Sequence, residues 1–143
     1  MRRRLYETRS EEETIALGAE LARGWSLPAF VMLIGNLGAG KTTLAKGVAE
    51  GLGVTRREEV SSPTFPLVHE YGEEGQLAHV DLYRLDTLEE VESLGLDETV
   101  ARASVTLLEW AERFPEILPK ERIEIRIEAR PDESRAIEVT ELP

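Results

Sequence analysis

The segment Gly35–Thr42 combines residue types and a spacing suited to gripping phosphate. Its letters, GNLGAGKT, fit the pattern G-x-x-x-x-G-K-[ST]. Glycines let the main chain curl so tightly that successive N–H groups point at one anion. Lys41 can neutralise the charge of the outer phosphates, and the hydroxyl of Thr42 can ligate Mg²⁺. The pattern predicts a nucleotide-binding loop formed by Gly38, Ala39, Gly40, Lys41, Thr42 and Thr43.

The elements on either side of this loop must position it. Ala29–Ile34 is an unbroken apolar run, which is typical of a strand buried on both faces. Lys41–Leu52 carries apolar residues at fourfold spacing and is predicted to be a helix. The positive end of that helix would face the same anion as the loop. A glycine-rich turn without function is the competing interpretation, and the flanking strand and helix argue against it.

Two carboxylates end apolar runs further along the chain. Asp81 closes Leu77–Asp81, and Glu109 follows Val105–Leu108. Ligands of open α/β sheets bind at the carboxyl ends of strands, so both side chains could face the loop. We favour Glu109 as the metal-side carboxylate because its strand is more uniformly apolar, and Asp81 would then assist the attacking water or the metal's outer shell. The alternative for either residue is a solvated strand end. The predicted catalytic residues are Lys41, Asp81 and Glu109, and the predicted metal ligands are Thr42 and Glu109.

Other polar residues allow two interpretations each. Ser61–Phe65 could fold over the γ-phosphate as a switch segment, or form an ordinary turn before a strand. Arg84 could reach phosphate or form a surface ion pair, and Trp110 could contact the nucleotide or belong to the core. His69 and His79 lack a partner at metal-ligand spacing, and we interpret both as structural.

Composition restricts the function. The net charge of −11 argues against direct nucleic-acid binding, which depends on Lys and Arg. There is no cysteine, no apolar run of about 18 residues, and no long apolar stretch after the basic N-terminus, so a cytoplasmic protein without membrane contact is expected. None of the three lysines lies in an N/T-K-x-D motif, so ATP is favoured over GTP.

The rest of the chain predicts a single domain over residues 1–143. Capping boxes at Ser10 and Thr87 open two helices, and a buried strand is expected over Ser104–Leu108. The remaining predicted strands form hairpins: Phe65–Tyr71 with Gln76–Tyr83, and Ile123–Ile127 with Ile137–Val139. The predicted fold class is α/β, a P-loop NTPase-like three-layer sandwich with a mixed parallel/antiparallel sheet and a C-terminal β-hairpin.

Four motifs in the same order resemble the TsaE family, small bacterial ATPases of tRNA threonylcarbamoyladenosine biosynthesis. They are GNLGAGKTT at 35–43, SPTF at 62–65, HVDLYRL at 79–85, and Glu109-Trp110. The resemblance spans nearly the whole chain and is far more specific than the phosphate loop alone. Two departures are mild: Asn36 stands where the family usually has Asp, and Ala111 stands where Pro commonly follows the Trp.

The resemblance implies ATP hydrolysis with Mg²⁺, with Thr42 and Glu109 near the metal and Asp81 and Ser62–Phe65 at catalytic and switch-like positions. It also implies two partners, the threonylcarbamoyl transferase and its paralogous companion. The ATP cycle would reset the transferase between turnovers, so that A37 is modified in tRNAs reading codons that start with A. The chain would reach tRNA only through that complex, and its hydrolysis alone is expected to be slow because no arginine in the same chain is evident at the phosphates. The alternatives are a small-molecule kinase, for which no substrate lid is obvious, and a non-hydrolytic nucleotide-gated binding module.

Overall fold

The computed structural model describes residues 1–36, 38–61 and 67–143. Within these ranges the chain forms seven strands, four α-helices and three short 3₁₀ turns. The strands are β1 (Arg2–Thr8), β2 (Ala29–Ile34), β3 (Val68–Tyr71), β4 (Leu77–Asp81), β5 (Val105–Glu109), β6 (Arg122–Ala129) and β7 (Arg135–Leu142). The helices are α1 (Glu11–Gly24), α2 (Lys41–Leu52), α3 (Leu88–Glu92) and α4 (Leu96–Arg102), and the 3₁₀ turns are Arg57–Glu59, Ala111–Arg113 and Pro115–Ile117. No helix in the described ranges has both the length and the apolar character that crossing a bilayer requires.

The strands form one mixed sheet in the order β1-β7-β6-β2-β5-β4-β3. The four central strands, β6, β2, β5 and β4, run parallel, whereas β7, β1 and β3 pair antiparallel. The predicted mixed α/β sheet is therefore confirmed, and so is the C-terminal hairpin of β6 and β7. β1 is the strand that the sequence reading missed. Its letters RRRLYET are strongly charged, and charged side chains are common on edge strands.

Apolar side chains pack on both faces of the central strands. Val31 and Leu33 of β2 belong to a cluster with α1 and α2, whereas Met32 joins a second cluster with α3. This alternation agrees with the prediction that β2 is buried on both faces. β2 precedes the loop and α2 follows it. Because both elements are buried, the two ends of the loop are held in place.

Close contact between α1 and α2 depends on glycine. A Cβ added at Gly47 would overlap the backbone carbonyl of Ile15, and one added at Gly51 would meet the backbone of Ala19. The two helix backbones therefore approach more closely than a larger residue permits. This contact sets the position of α2, whose first residues carry the candidate phosphate ligands.

We expect Gly47→Ala to lower the free energy of unfolding by about 1–3 kcal/mol, the usual cost of overpacking. Replacing glycine by alanine in an exposed helix interior would normally raise the free energy of unfolding by about 1 kcal/mol. The sign of the change therefore tests the close contact between α1 and α2. Gly24→Ala is the matched control, because a Cβ there has open space around it. Urea unfolding of both variants measures the effect, and a Gly47→Ala protein as stable as the wild type would contradict this packing.

Candidate functional site

The loop between β2 and α2 ends in a glycine that no other residue replaces without strain. Gly40 has φ 112° and is the N-cap of α2, and Gly38 has φ 81°. Both angles lie in the left-handed region that L side chains rarely adopt. Among the described residues no side chain caps the N-terminus of α2, and its first N–H groups are suited to bind an anion. Leu37 lies outside the described residues.

A cavity of about 650 Å³ opens in front of this loop. Its wall contains the loop residues Gly38, Gly40, Lys41, Thr42 and Thr43 together with the two strand-end carboxylates, Asp81 and Glu109. This volume is within the range of about 300–1,000 Å³ that is usual for small-molecule sites. The structure thus brings nearly all of the sequence-predicted site residues to one cavity; Ala39 is buried beside it.

Other residues that line the cavity were not predicted from the sequence as site residues. Arg9 and Ser10 lie at the corner between β1 and α1, and Glu133 and Arg135 lie at the turn of the C-terminal hairpin. The β1–α1 corner and the hairpin turn lie close together because Thr8 and Arg135 are register partners in the β1–β7 pair. No local motif marks these residues, since their proximity depends on pairing between the two ends of the chain.

The centre of the site is a cluster of buried charges. Lys41 is 5% exposed and Glu109 is 3% exposed, and Lys41 Nζ lies 3.7 Å from Glu109 Oε1. The same ammonium lies 4.3 Å from the centroid of the Trp110 ring. A buried ammonium is costly unless it is paired, and here a carboxylate and an aromatic face both stabilise it.

His79 contacts the other oxygen of the same carboxylate. Its Nε2 lies 2.6 Å from Glu109 Oε2, and the ring is fully buried. The structure thus gives His79 a polar partner 30 residues away, which our interpretation of it as a purely structural residue did not anticipate. The available signal was strand alternation: His79 and Asp81 share one face of β4, and Asp81 is the register partner of Glu109. His69, in contrast, lies within hydrogen-bond distance of the Tyr71 hydroxyl at 3.2 Å.

Asp81 is buried at the end of β4. Burial raises the pKa of its carboxyl, and the neighbouring Glu109 adds to this effect. The backbone N–H of Tyr83, which donates to Asp81 Oδ1 at 2.9 Å, opposes the shift, as do the nearby Lys41 and His79. A carboxylate whose pKa is raised in a cavity is a candidate for handling protons.

Trp110 packs against the core cluster that contains Met32 and also presents its ring to the Lys41 ammonium. Its φ of 64° is in the left-handed region, which is unusual for a bulky residue and concentrates at functional sites. Its ring lies 5.0 Å from that of Tyr83. Arg84 is exposed. The predicted switch segment Ser62–Phe65 lies outside the described residues.

The donor set suits a hard cation that shares its shell with a ligand. Thr42, Asp81 and Glu109 line the cavity, and oxygen is the only polar element in their side chains. In the described part of the chain, no group of three or more His, Cys, Asp and Glu side chains could enclose a metal ion. Mg²⁺ fits this arrangement, because it usually takes one or two protein oxygens and completes its shell with phosphates and water.

Comparisons with known proteins agree on one family. A family model described as "Threonylcarbamoyl adenosine biosynthesis protein TsaE" matches residues 8–137. The tRNA threonylcarbamoyladenosine biosynthesis protein TsaE of Bacillus subtilis (strain 168) is 44% identical over 142 residues, covering 98% of this chain and 87% of that protein. The protein of the same description from Treponema pallidum (strain Nichols) is 38% identical over 132 residues, covering 92% and 96%. Among solved structures, the crystal structure of Bacillus subtilis YdiB superposes with a TM-score of 0.78 and 38% identity, covering 99% of this chain and 87% of that one.

We expect Asp81→Asn to raise the thermal unfolding midpoint at pH 7. Burial raises the pKa of the Asp81 carboxyl, so the ionised group is less stable in the folded chain than in the unfolded chain. The difference in midpoint between variant and wild type should shrink as the pH falls below the raised pKa of Asp81 in the folded chain. It should vanish below the pKa of about 3.9 in the unfolded chain, because the wild-type carboxyl is then neutral in both states.

Asp132→Asn is the matched control with the opposite sign. Hydrogen bonds from Ser134 lower the pKa of the Asp132 carboxyl, so its ionised form stabilises the fold at neutral pH. That variant should therefore lower the midpoint at pH 7, and its deficit should disappear in acid. An Asp81→Asn protein that is less stable than the wild type at pH 7 would contradict the conclusion that the fold raises the pKa of the Asp81 carboxyl.

Proposed function

The chain belongs to the TsaE family and acts in tRNA threonylcarbamoyladenosine biosynthesis, and from that premise we propose that it is a Mg²⁺-dependent ATPase with a P-loop fold. The observation that supports this function most directly is the buried pair of Lys41 and Glu109, in which Lys41 directly follows the last glycine of the loop. These two side chains carry the charges that complement an outer phosphate and a metal cation, respectively.

The loop and α2 supply the grip on the phosphates. The uncapped N–H groups at the start of α2 would bind phosphate oxygens, and Lys41 would leave Glu109 and Trp110 to contact the outer phosphates. Thr42 and Glu109 would hold Mg²⁺, which when bound neutralises charge on the phosphate oxygens. Lys41 and Glu109 would thus each exchange their mutual contact for a partner of opposite charge in the Mg²⁺–nucleotide complex.

Asp81 is suited to orient the attacking water. It lies beside Glu109 in the sheet register, at the same edge of the sheet as the loop. Its raised pKa brings the carboxyl closer to the range in which a side chain accepts a proton in the transition state. This role matches the catalytic position that the family resemblance implies for Asp81.

The part of the cavity lined by the β1–α1 corner and the hairpin turn is available to the nucleoside. Arg9 and Arg135 lie on this wall, and the Arg135 Nε would be 3.6 Å from a Cβ placed on Gly40. An arginine so close to the end of the phosphate loop can contact the inner phosphates or the ribose. We assign the base and ribose to the space between the β1–α1 corner and the hairpin turn.

The proposed partners are the threonylcarbamoyl transferase and its paralogous companion. The net charge of −11 leaves the chain poorly suited to bind tRNA alone, so the partners would carry the RNA. Hydrolysis would then reset the transferase between turnovers, in the cytoplasm and without a membrane.

We expect Lys41→Ala and Thr42→Ala to lower the rate of phosphate release by at least about 100-fold, since preorganised charge stabilisation is the main catalytic term in phosphoryl transfer. Glu109→Ala should raise the Mg²⁺ concentration needed for half-maximal rate. Lys46→Ala is the control, because it removes the same residue type from the same helix, five positions further on. Unchanged hydrolysis in the three site variants would exclude the mechanism.

A reconstituted tRNA modification assay separates the proposed function from its alternatives. With the transferase and its companion present, we expect multiple turnovers with ATP, and no more than a single turnover with a non-hydrolysable analogue or with Lys41→Ala. Equal turnover with ATP and the analogue would instead indicate a nucleotide-gated binding module. Transfer of phosphate from ATP to a small molecule would indicate a kinase.

A further inference from the structure

The buried contact between His79 and Glu109 has a specific geometry. Nε2 of His79 lies 2.6 Å from Oε2 of Glu109, while Oε1 of the same carboxylate lies 3.7 Å from Lys41 Nζ. His79 is fully buried on β4, and Glu109 ends the adjacent parallel strand β5. The two oxygens of this carboxylate therefore have separate partners.

We assign the hydrogen of this contact to the imidazole. A carboxylate accepts hydrogen bonds and an imidazole N–H donates them, so in this assignment the donor is Nε2 of His79. Its Nδ1 is also buried and has no hydrogen-bond partner among the described residues. The one polar contact found for the ring in the described structure is therefore the one to Glu109.

Packing alone does not account for an imidazole at this position. His79 pairs in register with Leu107 and shares its strand face with Leu77, so a leucine would meet similar apolar neighbours. Burying a nitrogen without a partner costs stability, and an apolar side chain would avoid this cost. The histidine is therefore best explained by what it does to Glu109.

We propose that His79 is a positioning residue that fixes the Glu109 carboxylate so that Oε1 alone faces the metal and phosphate side of the cavity. This inference rests on the proposed Mg²⁺–nucleotide site. The terminal torsion of a glutamate is soft, and without His79 the carboxylate can rotate and turn both oxygens toward Lys41. The carboxylate would then be bound more firmly to the ammonium and offered less readily to the metal.

The test measures metal binding on the full-length chain loaded with ADP. Three variants are compared: His79→Leu removes the donor, His79→Gln places an amide nitrogen near the position of Nε2, and His79→Asn has the same amide on a shorter arm. The control is His69→Leu, because His69 is the register partner of His79 but lies on β3, which β4 separates from the strand that carries Glu109. Calorimetry gives the ADP affinity without metal, and a Mg²⁺ titration of the ADP complex gives the metal midpoint.

We expect His79→Leu and His79→Asn to raise the Mg²⁺ midpoint by about 10–100-fold, the usual cost of losing a residue that orients a metal ligand. The ADP affinity without metal should fall by less than the Mg²⁺ midpoint rises, since the loop N–H groups are intact and only the release of Lys41 from Glu109 becomes harder. His79→Gln should recover most of the loss, and His69→Leu should match the wild type. Should His79→Leu fail to fold by circular dichroism, His79→Asn and His79→Gln provide the same comparison.

Two results would overturn the inference. One is a wild-type Mg²⁺ midpoint in folded His79→Leu or His79→Asn; the other is a loss in His79→Gln as large as that in His79→Asn, which would indicate packing. Failure of the proposed function gives a different result: the wild-type chain itself would bind no ADP in the presence of Mg²⁺. That result would also exclude this inference.

Discussion

The structure of the site depends on one buried ion pair. The Lys41 ammonium comes from the first turn of α2 and the Glu109 carboxylate from the end of β5, and both are almost fully removed from water. Isolated buried charges are unfavourable, so each of these two groups needs a partner. The neighbouring Trp110 ring and His79 imidazole satisfy the remaining sides of the pair. The parallel pairing of β2 with β5 and the glycine-dependent contact of α2 with α1 keep the two charges at this separation.

Under the proposed function, this pair also accounts for how one site could bind an anion and a cation together. A triphosphate would supply negative charge for Lys41, and Mg²⁺ would supply positive charge for Glu109. Much of the cost of removing these side chains from water is incurred on folding rather than on binding. Preorganisation of this kind lowers the cost of binding and favours electrostatic stabilisation of the transition state.

Sequence reasoning was most successful where the information is local. The loop Gly35–Thr42 is encoded by a contiguous pattern, and Asp81 and Glu109 were identified because each ends an apolar run at the same edge of the sheet. The sequence did not reveal the contact of His79 with Glu109 or the contribution of Arg135 to the cavity wall. Both depend on pairing between distant strands, across 30 residues in the first case and between the two ends of the chain in the second. Strand alternation could have placed His79 on the face of Asp81, but β1 has too many charges to be recognised as a strand without its partner.

The most direct test of the central claim is a structure determined with Mg²⁺ and a non-hydrolysable ATP analogue. The account predicts that Lys41 Nζ moves from Glu109 Oε1 and the face of Trp110 to within hydrogen-bond distance of an outer phosphate, and that Glu109 lies in the shell of the metal or of its waters. A nucleotide bound elsewhere on the chain, with the Lys41–Glu109 pair unchanged, would contradict it.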